Sequence, residues 1–283
     1  MNREHANKFV KKFTEITKED ILLVGGKGLS LGNMKNHGIS VPEGFVVTSK
    51  VFQEFYNTEI TQEVAAEILQ EFDALNWEFV AVRSSALSED SYENSWAGQL
   101  DSFLFVTREG LLDNIKKCWE SLQSERAQAY IQKNNLPADQ KMAVVVQRMI
   151  DSKISGVMFT ANPITKDRDE VLIESVYGLG ELLVQGMVTP FNYVIDKNAL
   201  TLKSSSSSDQ DEMLVYQDNK IIKVPVHSNF SKETNLSEEQ LKELVKIGKQ
   251  IEYLYGHPQD IEWVMDNNEF LIVQSRPITT LAT

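Results

Sequence analysis

The sequence contains one cysteine and too few basic residues to balance its acidic ones. Cys118 is the only cysteine in 283 residues, so no disulfide can form within the chain, and its apolar helical neighbourhood predicts a core position. Asp and Glu number 41 and Lys and Arg number 28, which gives a formal net charge of −13. This balance argues against a surface that binds nucleic acid or an anionic membrane.

Long apolar runs are also missing. No stretch approaches the roughly 18 apolar residues of a membrane-spanning helix. The first residues, MNREHANKFVKKF, lack the apolar core of a secretory signal. We therefore expect a protein of the reducing cytoplasm. Hydrophobic residues make up 42% of the chain, which is enough for a substantial core in two domains or in one two-lobed domain.

Several common catalytic signatures are absent. The histidines share no metal-ligand spacing, so no zinc site is predicted, and no GxSxG nucleophile motif occurs. The GGKG segment at residues 25–28 is not a Walker A loop, because Leu29 follows Gly28. GLGE at 178–181 is too short for a dinucleotide fingerprint. A hydrolase or a dinucleotide-dependent enzyme is therefore disfavoured.

The order of elements predicts an α+β fold in two lobes, because strands and helices alternate irregularly without a βαβ period or an internal repeat. We place the lobes at residues 1–147 and 148–283, with a hinge near Gln147–Asp151. Element predictions include a strand at DILLV before GGKG, a loop at KSSSSSDQDE (203–212), and helices over 29–36, from 48 or 49 to about 72, from 107 to about 134, and from the Ser237 capping box to Gly256.

Polar residues interrupt a hairpin pattern near the C-terminus, in DIEWVMDNNEFLIVQSRPIT (260–279). A three-residue turn at Asp266–Asn268 would pair Met265 with Glu269, whereas a two-residue turn would divide the polar residues between the two faces. The three-residue turn places Asp260, Glu262, Gln274 and Arg276 on one face and Ile261, Trp263, Leu271 and Val273 on the other. The polar face is either a solvated surface or, because carboxylates bind Mg²⁺ and arginine binds phosphate, a metal–phosphate site.

Other polar residues lie at the ends of apolar stretches. Lys27 in the glycine-rich segment suits phosphate binding, although the segment also fits a plain turn. Arg83 ends a buried strand in AVRSS, where it would bind either a ligand or a carboxylate of the protein. Gln147 ends the strand VVVQ, where it suits an adenine edge or a structural amide. AGQ at 97–99 fits a loop that folds over phosphates.

Taken in order, these motifs resemble a known domain. GGKGLSLGNM, VPEGFVVT, AVRSSALSED, WAGQLDSF, VVVQRMI, SGVMFTANP, YGLGE and PQDIEWVMDNNEFLIVQSRPIT are similar to the ATP-binding domain of the pyruvate phosphate dikinase and phosphoenolpyruvate synthase superfamily, and rifampin phosphotransferases begin with a similar domain. The resemblance extends from about Phe13 to Thr279.

The resemblance implies an ATP-grasp-like fold that holds Mg·ATP between two lobes. Lys27 and Arg83 would contact the phosphates, Gly98 would belong to the phosphate-covering loop, and Gln147 would lie at the adenine hinge. In the hairpin, Glu262 and Gln274 would bind Mg²⁺ with Asp260 beside them. Arg276 would stabilise charge on the transferring group, and Lys27 and Arg83 would share this catalytic role. Ile272 and Val264 would wall the adenine.

The resemblance also implies an activity. Members of the superfamily donate a phosphoryl or pyrophosphoryl group from ATP to a histidine in a TSH-type motif on a separate domain, and no histidine here lies in that context. We expect a catalytic half that is either part of a longer enzyme or a separate subunit. The alternatives are a regulatory module that binds ATP without transfer, and an ATP-grasp ligase that makes an acyl phosphate. The final phosphate acceptor is not specified by these residues.

Overall fold

The structure is a computed structural model, and it describes residues 9–87, 96, 99–137, 139–227 and 230–281. Its helices are α1 (Ile21–Asn36), α2 (Ser49–Phe55), α3 (Gln62–Leu75), α4 (Leu111–Glu120), α5 (Glu125–Lys133), α6 (Glu181–Val184) and α7 (Glu238–Tyr255). Its strands are β1 (Val10–Lys12), β2 (Gly44–Val47), β3 (Val80–Ala86), β4 (Ser102–Val106), β5 (Met142–Arg148), β6 (Ile154–Phe159), β7 (Glu170–Tyr177), β8 (Phe191–Asp196), β9 (Leu202–Ser206), β10 (Glu212–Gln217), β11 (Lys220–Pro225), β12 (Gln259–Asp266) and β13 (Glu269–Pro277). The combination of helices with antiparallel sheets confirms the α+β class.

The chain divides into two compact units. The first comprises the described residues up to Gly38 together with Pro42–Met149, and the second comprises Ile39–Val41 and the described residues from Ile150 onward. The short segment at 39–41 joins the second unit partly through a hydrogen bond from the Ile272 amide to the Ser40 carbonyl, at 2.8 Å.

The first unit is built on a five-stranded antiparallel sheet with the order β1-β2-β5-β3-β4. Side chains alternate between its faces. One face carries Val82, Val144 and Val146 into a core that also includes buried residues of α2, α3, α4 and α5. On the other face, Val46, Val145 and Arg83 lie opposite one another on β2, β5 and β3. Helix α1 packs here, because a Cβ on its Gly28 would lie 3.1 Å from Val46 Cγ2.

The segment before GGKG is helical, so the predicted strand at DILLV is wrong. Helix α1 begins at Ile21 and continues to Asn36 across a kink at Gly25, whose φ is +70°. A Cβ at Gly25 would lie 2.4 Å from Ser85 Oγ, so the kink requires glycine both for its backbone angle and for this close approach. A short apolar run does not distinguish a strand from a buried helical turn, and packing on the sheet decides between them.

Two long predicted helices are each divided. The helix expected over residues 48–72 ends at Phe55, and α3 begins after Thr61, whose hydroxyl caps Val64 N. The helix expected over 107–134 consists of α4, a short 3-10 turn and α5, and the Ser124 hydroxyl caps Ala127 N. In each case a Ser or Thr accepts a hydrogen bond from the new first turn, which favours a fresh start over a continuous helix.

The second unit contains a six-stranded antiparallel sheet with the order β13-β12-β6-β7-β8-β9, and a separate β10–β11 hairpin. Helix α7 packs on one face, where a Cβ on its Gly248 would lie 2.9 Å from Met158 Cε. The predicted ends of this helix are confirmed: Ser237 and Gln240 form a capping box, and Gly256 ends it with φ +76°. The opposite face of the sheet is called the ligand face below, and it carries the side chains of Glu262 and Asp260.

The serine-rich segment is only partly the loop that its composition predicts. Residues Leu202–Ser206 form β9 and pair with β8, with Ser206 opposite Asn192, whereas residues 207–211 lie in neither a helix nor a strand. Farther along, the buried Gln210 side chain bonds both the amide and the carbonyl of Tyr177, each at 2.8 Å. Unpaired backbone groups at the edge of β8 favour this strand, and the composition of the segment gives no information about them.

Among the described helices, none combines the length and apolarity that a bilayer crossing requires.

Candidate functional site: a bulged hairpin and a glycine-rich helix start

The hairpin of β12 and β13 differs from its prediction in the turn. Asp266 pairs with Glu269, and Asn267 and Asn268 form a two-residue turn with φ of +50° and +65°, so the predicted three-residue turn is wrong. Positive φ at both central positions is the signature of a type I′ turn, which matches the twist of a hairpin and accepts asparagine.

A β-bulge restores the predicted polar face. Trp263 pairs with Ile272, but Glu262 pairs with Gln274, so Val273 is an extra residue on β13. The extra residue reverses the alternation that the two-residue turn would otherwise impose. Asp260 then lies opposite Arg276, and all four polar side chains share the ligand face. The polar set predicted from the sequence is therefore together, for a reason that the sequence analysis did not identify.

The bulge also changes which of the predicted adenine-wall residues lie on the ligand face. Ile272 is opposite the buried Trp263 and is itself fully buried, so it lies in the core and not beside Gln274. Leu271, which the sequence analysis placed in the core, is partly buried opposite Val264. Of the two predicted wall residues, only Val264 lies on the ligand face.

Asp260 and Arg276 form an ion pair across the two strands. Arg276 Nε and Nη2 each donate to Asp260 Oδ2 at 2.8 Å. Burial raises the pKa of Asp260 above its ordinary value, and the Glu262 carboxylate adds to this rise while Arg276 opposes it. Two acids and an arginine are thus held together in a poorly hydrated place, as is common at sites that bind charged ligands.

Glu174 on β7 is a further ligand-face residue, which the sequence analysis missed. The row across the sheet runs Gln274, Glu262, Val157, Glu174, which places all four side chains on one face. Burial raises the pKa of Glu174, and the charge of Asp260 adds to the effect. The acid at position 174, within the largely apolar stretch VLIESVY at 171–177, was the signal that could have identified it.

In the first unit, the glycine-rich segment packs against the Ser84–Ser85 part of β3. Lys27 is buried, and its Nζ donates to the Ser84 carbonyl at 2.9 Å. Ser85 Oγ donates to the Val24 carbonyl at 2.8 Å and accepts from Gly28 N at 3.2 Å. These contacts fix the glycine-rich segment, at the kink of α1, beside the strand that carries Arg83.

Arg83 and Gln147 lie on the same face of the first sheet and touch. Arg83 Nη1 donates to Gln147 Oε1 at 3.5 Å. Gln147 is almost completely buried, and no described residue accepts a hydrogen bond from its Nε2. A buried amide donor without an acceptor is costly, so this donor is the strongest candidate for ligand recognition in the first unit.

Two other predictions have different outcomes. Gly98, with Ala97, lies outside the described residues, while the neighbouring Gln99 accepts from Arg126 Nε through its carbonyl at 3.1 Å. Cys118 is buried, and burial raises the pKa of its thiol to about 12, which confirms the predicted core position.

The chain matches the sequence profile of the family described as "Pyruvate phosphate dikinase, AMP/ATP-binding domain", over residues 21–78 and 55–283. It is 37% identical over 310 residues to a probable phosphoenolpyruvate synthase of Archaeoglobus fulgidus, covering 94% of this chain and 41% of that protein. It is 36% identical over 315 residues to the rifampicin phosphotransferase of Bacillus cereus, covering 96% of this chain and 36% of that protein. The chain thus spans less than half the length of these curated relatives.

Among solved structures, the chain is similar to the D-alanine–D-alanine ligase of Bacillus anthracis complexed with ATP. The identity is 9% and the TM-score is 0.43, over 89% of this chain and 55% of that one. A TM-score of this size carries no argument about function, so the family assignment rests on the sequence match.

Proposed function

Because the chain belongs to the pyruvate phosphate dikinase AMP/ATP-binding domain family, we propose that it is a Mg·ATP-dependent phosphotransferase domain or subunit. It donates a phosphoryl or pyrophosphoryl group from ATP to a histidine on a separate domain or protein. The observation that carries this proposal is the bulged β12–β13 hairpin, which brings two acids, an amide and an arginine onto one face.

The ligand face suits a magnesium ion that is completed by phosphates. Among the described residues, no group of three or more His, Cys, Asp or Glu side chains could hold a metal alone. Mg²⁺ in nucleotide sites usually retains waters and uses one or two carboxylates together with phosphate oxygens. Glu262 and Gln274, directly opposite each other, fit as its protein ligands. Bound there, Mg²⁺ would neutralise phosphate charge.

Arg276 has the position and chemistry to stabilise the group in transfer. A guanidinium can bond two phosphate oxygens in a fixed plane. Pro277 follows it and favours an extended backbone, which fixes where the strand ends. Asp260 orients the guanidinium through Oδ2. We assign Arg276 the role of meeting charge that develops as phosphate leaves, with Asp260 as its positioning residue.

We propose that the first unit also carries groups for phosphate and base recognition. Lys27 and Arg83 supply positive charge for phosphate oxygens, and the bond from Lys27 to the Ser84 carbonyl holds Lys27 beside the strand that carries Arg83. Gln147 presents its Nε2 donor, because a guanidinium has only donors and must face the amide oxygen. We propose that this donor meets a ring nitrogen of adenine. The phosphate-covering role of Gly98 stays part of the proposal.

The test combines nucleotide binding with transfer. Calorimetry should show ATP binding that strengthens with Mg²⁺, and Glu262→Ala should remove most of that gain while the protein stays folded. Incubation with γ- or β-labelled ATP and the histidine domain of a family relative should then give acid-labile label on that domain. Mg²⁺-dependent binding without transfer would leave a nucleotide-binding module, and label released only with an added carboxylic acid would indicate a ligase.

A further inference from the structure

Glu174 lies two strand spacings from Glu262 and three from Gln274, the proposed metal ligands. Along the row Gln274, Glu262, Val157, Glu174, each step crosses one pair of strands. Neighbouring strands are about 4.8 Å apart, so the α-carbons of Glu262 and Glu174 are separated by roughly 10 Å. The partly buried Val157 stands between them on the same face.

No described residue donates a hydrogen bond to Glu174 or forms an ion pair with it, and the carboxyl is partly buried. A carboxylate in such a place is costly unless something pairs with it. Asp260, whose charge contributes to the raised pKa of Glu174, is already bonded to Arg276. Glu174 therefore offers acceptor oxygens to the ligand face, and when ionised it can only accept hydrogen bonds.

The topology limits which part of a nucleotide can reach Glu174. Strand β13 is the edge of the sheet, so in the direction across the strands the ligand face continues from Glu262 and Gln274 only toward β6 and β7. The group that follows the phosphates is the sugar. A carboxylate repels phosphate but accepts from hydroxyl groups, and Asp or Glu side chains bond ribose hydroxyls in other nucleotide folds.

We propose that Glu174 accepts hydrogen bonds from the ribose hydroxyls of the bound nucleotide and thereby selects ribonucleotides over deoxyribonucleotides. This inference rests on the proposed Mg·ATP function of the same face. It assigns to Glu174 a role in sugar specificity and none in metal binding, which agrees with the lack of a three-ligand cation site among the described residues.

The experiment measures the affinities of ATP, 2′-deoxy-ATP and 3′-deoxy-ATP in the presence of Mg²⁺ by calorimetry. The unmodified protein should prefer ATP over at least one deoxy analogue by on the order of tenfold, since a hydrogen bond to a charged group is worth that much or more. Glu174→Gln and Glu174→Ala should weaken ATP binding by about that factor and leave the affinity for that analogue nearly unchanged, so the preference disappears.

The matched control is Glu269→Gln, which removes an exposed carboxylate from the same sheet at the turn end of β13. It should keep the full preference. Equal affinities for ATP and both analogues, or a preference that survives in both Glu174 variants, would overturn the inference while leaving Mg·ATP binding intact. A change in Mg²⁺ dependence with unaltered sugar preference would overturn it in favour of a cation role. Absence of binding by any of the three nucleotides would instead refute the proposed function.

Discussion

One carboxylate oxygen of Asp260, Oδ2, accepts hydrogen bonds from both Nε and Nη2 of Arg276, each at 2.8 Å. The two residues are directly opposed on β12 and β13. Their side chains are 13% and 23% exposed, so the pair is largely shielded from water and holds the guanidinium in a defined plane. Under the proposed function, this fixed plane prepares Arg276 for a phosphate before the ligand binds and so lowers the cost of reorganisation during transfer.

Arg276→Lys should therefore reduce transfer far more than binding. Lysine keeps the charge but cannot bond two oxygens in one plane. We expect ATP affinity within about tenfold of the unmodified protein, roughly 1.4 kcal/mol, and single-turnover phosphorylation of a histidine domain lower by on the order of 10³-fold. Both are measured on the same preparation. Transfer near the rate of the unmodified protein would show that Arg276 only forms a structural ion pair and has no role in transfer.

Deleting Val273 should preserve the site, because Val273 is the residue that the bulge accommodates. With the two-residue turn unchanged, a regular ladder would still pair Glu262 with Gln274 and Asp260 with Arg276. We expect Mg²⁺-dependent ATP affinity within about tenfold of the unmodified protein. Deleting Ser275 instead turns Arg276 toward the core face and should abolish transfer. Calorimetry and thermal unfolding of both variants test this, and loss of Mg²⁺ dependence on deleting Val273 would contradict the register argument.

Two buried lysines of the first unit make a matched pair. Lys27 bonds the Ser84 carbonyl, whereas Lys11 pairs with Asp20 at 2.6 Å. Lys27→Met should lower ATP affinity by tenfold or more, and the loss of its hydrogen bond to the Ser84 carbonyl should destabilise the protein by about 1 kcal/mol. Lys11→Met should leave affinity unchanged and cost about 3 kcal/mol, because it strands the Asp20 carboxylate. Denaturant titration and calorimetry separate the two effects, and the reverse pattern would exclude Lys27 from the site.

Gln147→Glu isolates the unpartnered donor. Glutamate keeps the size of the side chain and still accepts from Arg83, but it replaces the Nε2 donor with an acceptor. We expect ATP affinity to fall by about tenfold or more and the thermal midpoint to stay within a few degrees. Triphosphate without a base measures the effect of the new charge beside Arg83, and ATP should lose more affinity than triphosphate does. If both lose the same factor, Gln147 is a structural amide.

Glu174→Gln should stabilise the ligand-free protein. Burial and the Asp260 charge raise the pKa of Glu174 in the folded state, so the folded protein binds this proton more tightly than the unfolded chain. The ionised carboxyl therefore costs stability above its folded pKa, and the cost disappears as pH falls below about 4.3, the ordinary value. We expect a gain of about 1 kcal/mol near pH 7.5 that shrinks toward pH 4. Urea titrations across this range check it; a gain independent of pH would contradict the electrostatic cause.

Local sequence patterns predicted several features of this protein. The sequence predicted that the polar residues of 260–276 share a face, the Ser237 capping box and Gly256 marked the ends of α7, and the order of short motifs identified the family. The helix ends depend on residues that are neighbours in sequence, so capping chemistry suffices to predict them, whereas the polar face was predicted with the wrong turn.

The tertiary structure decided the rest, because it depends on groups that are distant in the chain. Asn267–Asn268 and the Val273 bulge compensate each other, and only the completed ladder reveals that they do. DILLV became helical because the Gly25 kink allows it to pack against Ser85 on the first sheet. The role proposed for Glu174 could not be predicted from EVLIESVY. Glu174 shares a face with Glu262 only because both β7 and β12 pair with β6. Sequence supplied the side chains of the ligand face, and the pairing of β12, β6 and β7 brought them onto one surface.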